Sequence, residues 1–317
     1  MTLVHRRFTW LAFLPFLALT LVLAGCEDAD EDEVVSAIEL EVTEIEDDGF
    51  ANPIGVVHDE VDDVYLVSNM NGDPTQATGN AFISRLSPDG EVLESNWIDL
   101  TGTPRALNSP RGMAIRDDSL FVADIDCIRI YDRPSGADDG FTCLDNVTFI
   151  ADVDIGPEGS IFAIDAGMVY EDGEWSPTGT DAVYRIVTAE GRQGSTLASG
   201  EELGNPGSLA VGSRGIFVTT MGTGELYAVA PDGSRTSILP ESDQRLGGIV
   251  FLADGSFVFS SLTDSSLTMI DAGGQVIDLA EGIPDAQILG YDAQRNRLLV
   301  PIPSENRILF LDLPDMI

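Results

Sequence analysis

Apolar runs of five or six residues alternate with short polar turns along almost the whole chain, and one such run recurs six times. It reads VYLVSN (64–69), LFVADI (120–125), IFAIDA (161–166), IFVTTM (216–221), FVFSSL (257–262) and LLVPIP (298–303), with starts 56, 41, 55, 41 and 41 residues apart. A second apolar run precedes each, as in IGVVH (54–58), RGMAI (111–115) and ADVDI (151–155). A third follows and mostly closes on Asp-Gly or Gly-Gly, as in FISRLSPDG (82–90), ELYAVAPDG (225–233) and SLTMIDAGG (266–274). Runs this short and this continuously apolar fit strands buried on both faces. The trailing glycines supply the positive φ that hairpin turns need. Multi-stranded units repeating every 40–55 residues or so are the mark of propeller blades. The pattern predicts an all-β chain folded as a six-bladed β-propeller over 36–317. The sixth unit stops at Ile317, just after its third strand, and AIELEVTEI (37–45) alternates with period two. The last blade is therefore expected to be closed by this N-terminal strand, which leaves no sheet edge open.

The first 25 residues have a different character. His5, Arg6 and Arg7 precede an apolar run of 16 residues, Phe8 to Leu23. A membrane span needs about 20, so the run reads as a signal peptide. It ends in Leu23-Ala24-Gly25-Cys26, which resembles a bacterial lipobox. That resemblance implies cleavage before Cys26 and lipidation of Cys26, the alternative being an ordinary signal with a chance cysteine. Residues 26–35 are then the lipidated Cys and a solvated acidic tether, with EDADEDE at 27–33. The expected location is extracytoplasmic, lipid-anchored to the cell membrane or the outer membrane.

Charge narrows the partners. The chain has 54 acidic and 16 basic residues, a net charge of −38, and every basic residue is Arg. Such a surface repels itself in dilute buffer and is screened in molar salt, where the Debye length is about 3 Å. Lysine-poor, carboxylate-rich composition resembles that of halophilic proteins. No basic patch is available to neutralise phosphate, so nucleic acid is an unsuitable partner. Cys127 and Cys143 flank a hairpin in the second unit. Export permits a disulfide between them, and two buried thiols are the alternative.

Connection lengths single out one face. The link after the second strand is three residues in the fourth unit (222–224), twelve in the first (70–81) and fifteen in the third (167–181). In a propeller these links and the links between blades emerge together, and inserts on one face of a rigid ring build binding rims. The candidate ligand-binding residues there are Asn69, Asn71, Asp73, Asp124, Asp126, Asp165 and Trp175, with Asn80, Tyr170 and Asp181 beside them. Carboxylate and amide oxygens suit Ca²⁺ or another divalent cation; oxygens with aromatic platforms suit a glycan or other small molecule. NMNGD (69–73) resembles a calcium loop but lacks the terminal Glu. A solvated acidic rim that binds nothing is the plain alternative. His58 lies toward the opposite face, so no Ser-His-Asp or Cys-His set can assemble on this rim.

SPRGMAIRDDSLFVADIDCIRIYD (109–132) and NPGSLAVGSRGIFVTTMGTGELYAVAPDG (205–233) resemble NHL-type repeats and the gluconolactonase-like (senescence-marker-protein) propellers, over most of 50–314. The resemblance implies a six-bladed propeller. In the lactonases of that family four side chains near the tops of inner strands hold a divalent cation. Those slots fall here on Pro53, Ala151, Gly207 and Gly247, none of which carries a side-chain ligand. The expected function is thus a ligand-binding or protein-interaction module for a small molecule, glycan or envelope protein. A lactonase-like metal-dependent hydrolase with a relocated site is the alternative.

Overall fold

The structure, a computed structural model, describes residues 40–47, 49–187 and 193–314. The signal, the acidic tether and Cys26 lie outside the described residues. Six four-stranded antiparallel sheets form the six blades of a β-propeller. The innermost strands are Pro53–Asp59, Pro110–Arg116, Ile150–Ile155, Pro206–Gly212, Leu246–Phe251 and Gly290–Asp292. The recurring apolar run forms the second strand of every blade, from Val64–Asn69 to Arg297–Ile302. The N-terminal strand Glu41–Glu46 pairs with Arg307–Asp312 and completes blade 6, so the first and last segments share one sheet.

The core is divided among the gaps between blades. Tyr65 and Val67 of blade 1 pack with Leu299 and Phe310 of blade 6. Leu66 and Ile83 pack with Met113 and Val122 of blade 2. Val258 and Met269 of blade 5 pack with Val300 and Leu309 of blade 6. The second strand of each blade therefore buries both faces, and its sequence is a continuous apolar run instead of an alternation, whereas the outermost strands stay largely exposed.

Side chains on second strands stitch the inner strands into a ring. Ser68 Oγ donates to Arg111 O (2.8 Å), Thr219 Oγ1 to Gly247 O (2.6 Å) and Ser260 Oγ to Ala286 O (2.8 Å). The ring closes where Ile288 N–H donates to Ile54 O at 2.9 Å. Inner-strand edges have no neighbouring strand within their sheet, so these bonds satisfy groups that would otherwise be buried unpaired.

Candidate functional site

The face carrying the two long inserts is the upper face. Three of the residues assigned to its rim are instead interior. Asn69, Asp124 and Asp165 each end the second strand of a blade and are fully buried. Asn69 Oδ1 accepts from Ala51 N–H (3.0 Å), and its amide donates to Ser84 Oγ (2.9 Å). Asp124 accepts from the N–H groups of Asn108 (3.0 Å) and Ser109 (2.7 Å) and from Arg129 Nε (2.9 Å). Burial pushes its carboxyl up despite these donors. Asp165 accepts from the N–H groups of Thr148, Phe149 and Gly167. These three side chains cap the segment leading into their own blade and do not face solvent. Asn71 and Asn80 clamp the base of the blade 1 insert by mutual bonds to each other's carbonyls (2.8 and 2.7 Å). Only Asp73 and Asp126 of the seven are exposed.

The blade 3 insert, expected as a loop, is a small hairpin of Met168–Glu171 and Glu174–Pro177. It meets the blade 1 insert across blade 2. Thr75 Oγ1 donates to Tyr170 O and accepts from Tyr170 N–H, both at 3.0 Å. Trp175, expected as a free stacking platform, is half-buried. It packs on Tyr170 (ring centroids 5.2 Å apart) and on the buried Phe149 (5.3 Å). Apolar area placed against Phe149 gains more than it would in water. The inserts thus form a roof.

Beneath the roof lies Arg111, the second residue of the blade 2 inner strand and only 4% exposed. Its guanidinium lies over the Phe149 ring at 4.8 Å, and Nη2 donates to Gln287 Oε1 at 3.3 Å. Phe149 leads into blade 3 and Gln287 into blade 6. These blades stand opposite each other, so the guanidinium sits on the channel axis. Nε has no hydrogen-bond partner among the described residues. No carboxylate forms an ion pair with Arg111 among the described residues, and burial draws its pKa down to about 10, opposed by the more distant Asp152 and Asp285.

Below Arg111 the channel opens into a cavity of about 250 Å³ to which all six inner strands contribute. Asp152 and Asp154 stand on one side of it, two residues apart on the blade 3 inner strand. Asp152 accepts from Ser208 Oγ (2.6 Å) and from the N–H groups of Leu209 (3.0 Å) and Val153 (2.8 Å). Asp154 accepts from the N–H groups of Val211 (2.6 Å) and Ile155 (2.7 Å). Both carboxylates cap the open edge of the blade 4 inner strand. Room for Asp152 depends on Gly112, where a Cβ would lie 1.7 Å from Asp152 Oδ1. Burial pushes Asp152 up to about 6 and Asp154 up to about 7. Asp154 is half-buried and borders the lumen. A larger cavity of about 450 Å³ lies between blades 3 and 4, walled by Phe162, Leu197, Ile216 and Val229. Its charged groups, Glu158 and Arg185, are exposed.

On the lower face His58 is buried within its strand. Its Nε2 lies 3.1 Å from Asp63 and its Nδ1 3.4 Å from Asp292. Arg295 bridges the same two carboxylates at 2.8 Å each, and its hydrogen bonds hold Asp63 down at about 2. Tyr65 OH donates to Asp292 at 2.7 Å. This knot locks blade 1 to blade 6. Cys127 and Cys143 are directly opposed on the outer strands of blade 2 and are joined by a disulfide.

The chain resembles solved six-bladed propellers. A gluconolactonase from Xanthomonas campestris shares 17% identity over 88% of this chain and 91% of that one, with a TM-score of 0.64. Virginiamycin B lyase from Staphylococcus aureus shares 14% over 87% of this chain and all of that one (100%), with a TM-score of 0.58. A chain of the nidogen/laminin complex shares 18% over 71% of this chain and 78% of that one, with a TM-score of 0.55. No protein-family model and no curated protein matches the sequence. At such identities the common property is the fold, and folds of this kind serve enzymes and binding modules alike.

The lactonase ligand slots can be tested against the side chains present. Ala151, Gly207 and Gly247 each directly follow the first residue of their inner strand, as Arg111 does in blade 2, and Pro53 begins the strand of blade 1. None of the four offers a donor, and the equivalent side chain in blade 2 is a cation on the axis.

Proposed function

We propose that the chain is a lipid-anchored, extracytoplasmic binding propeller suited to high salt. Arg111 carries this reading: a guanidinium stands on the axis at the level where a lactonase would need its cation. Lipid anchoring rests on LAGC at the end of the apolar run, and salt tolerance on the net charge of −38 with Arg as the sole basic residue. The ligand is a small molecule, a glycan or an envelope protein. A second reading, a metal-dependent hydrolase with a relocated site, draws on Asp152 and Asp154, whose raised pKa values suit acid–base work.

Two measurements separate these readings. The purified full chain is assayed on a panel of lactones with Ca²⁺, Mn²⁺ or Zn²⁺, and by ligand thermal shift between ~0.1 and ~2 M NaCl. Binding without turnover, and a melting temperature that climbs with salt, are expected. Metal-dependent hydrolysis overturns the binding reading, and a salt-independent melting temperature overturns the halophilic part. Cys26→Ser should release the protein from membranes or stall its processing; unchanged maturation and association would sink the anchor.

A further inference from the structure

The two halves of the channel hold opposite charges that form no ion pair with each other among the described residues, although Arg111 and Asp152 act on one another through space. Above is a buried guanidinium with one long hydrogen bond and an unpartnered Nε–H. Below are two carboxylates bordering a lumen with Phe251 and Tyr291 in its wall. A buried charge without a close counter-charge is costly, and an unsatisfied donor adds to the cost. Asp154 has two donors for a carboxylate able to accept about four hydrogen bonds, so both oxygens keep acceptor capacity.

We propose that the lumen binds a compact zwitterion, with its ammonium group toward Asp154 and Asp152 and its carboxylate toward Arg111. An anion alone would face two carboxylates. A cation alone would leave Arg111 unmatched. The cavity volume of about 250 Å³ lies below the range of drug-sized sites, roughly 300–1,000 Å³, which restricts the ligand to a small molecule. Phe251 and Tyr291 add aromatic surface that favours an ammonium group. The inference deepens the binding reading and rests on it.

The test titrates the full chain calorimetrically with a matched series: γ-aminobutyrate, butylamine and butyrate. Each probe carries both charges, the cation alone or the anion alone. Above neutral pH γ-aminobutyrate should bind at least ~10-fold tighter than either half. Arg111→Met should erase its advantage over butylamine, and Asp154→Asn should weaken both. Equal binding of γ-aminobutyrate and butylamine, no binding of any probe, or an advantage that survives Arg111→Met overturns the proposal. Should Arg111→Met fail to fold, the wild-type series decides alone. Silence from all three probes beside a hit elsewhere in the thermal-shift screen ends this inference and leaves the binding reading standing. Metal-dependent lactone turnover ends the binding reading and leaves the lumen site to be judged by the probes.

Discussion

The upper rim and the lower lumen of the channel both present Asp residues, yet they use them in opposite ways. On the rim, Asp124 and Asp165 sit at strand ends and are consumed by backbone N–H groups of their own blade. In the lumen, Asp152 and Asp154 reach across to the next blade and stay next to open volume. A carboxylate at a strand end meets several N–H groups released by the turn, and capping them stabilises the fold. A carboxylate on an inner strand meets only an open strand edge and the channel, and its charge stays poorly solvated. The rim acids are spent on their own blade, whereas the lumen acids cap the strand edge of the next blade and still border open volume.

The sharpest way to break this comparison is Asp124→Ala. It strands Arg129 and two backbone donors in the interior and should cost about 3–5 kcal/mol in urea unfolding. Asp126→Ala, two residues on and exposed, should stay within ~0.5 kcal/mol of wild type. Similar small losses from both would show that the rim acids are not structural.

A middle-sized effect is expected with pH. Asp152 and Asp154 titrate above the ordinary carboxyl value of about 3.9. Their contribution to stability is therefore complete below that value and is lost as pH rises through about 6 and 7. Stability should fall by something on the order of 2 kcal/mol between about pH 5 and pH 8, and Asp154→Asn should flatten much of that slope. Asp63 works in the opposite sense. Its depressed pKa, about 2, gives stability that is lost only as pH falls toward that value, well outside this window. A slope that is absent, or unchanged in Asp154→Asn, would show that burial in the lumen does not raise these carboxyls.

The smallest effect tests the roof. Thr75→Val removes both bonds to Tyr170 and should cost about 1 kcal/mol. Its clearer sign is faster hydrogen exchange at the Tyr170 amide, with the protection of the inner strands unchanged. Unaltered exchange there would mean that Trp175 on Phe149 holds the roof without the bridge.

Much of the fold could be read directly. The recurring run from VYLVSN to LLVPIP marks all six second strands, and AIELEVTEI overlaps Glu41–Glu46, the strand that closes blade 6. These features follow from local periodicity, because a strand buried on both faces must be apolar throughout. The blade 3 hairpin escaped because none of its residues is buried and they are weakly patterned. The lumen left one faint trace: RGMAI and ADVDI carry charges inside inner strands, as LGYDA (289–293) does with Asp292 outside the lumen, whereas IGVVH, GSLAV and GGIVF carry no acid or Arg.

What the sequence determined by itself is the repeat, and with it the number of blades, their strands and the manner of closure. Which Asp is spent and which is available was decided only by tertiary structure. Asp124, Asp126, Asp152 and Asp154 are chemically the same residue, and neighbours in sequence do not separate them. Their roles depend on which N–H groups, brought from 15 residues away for Asp124 and 57 for Asp152 and Asp154, arrive within reach. Closing six wedges around one axis also set Arg111 between blades 3 and 6, and no local pattern encodes a contact made through the centre of a ring.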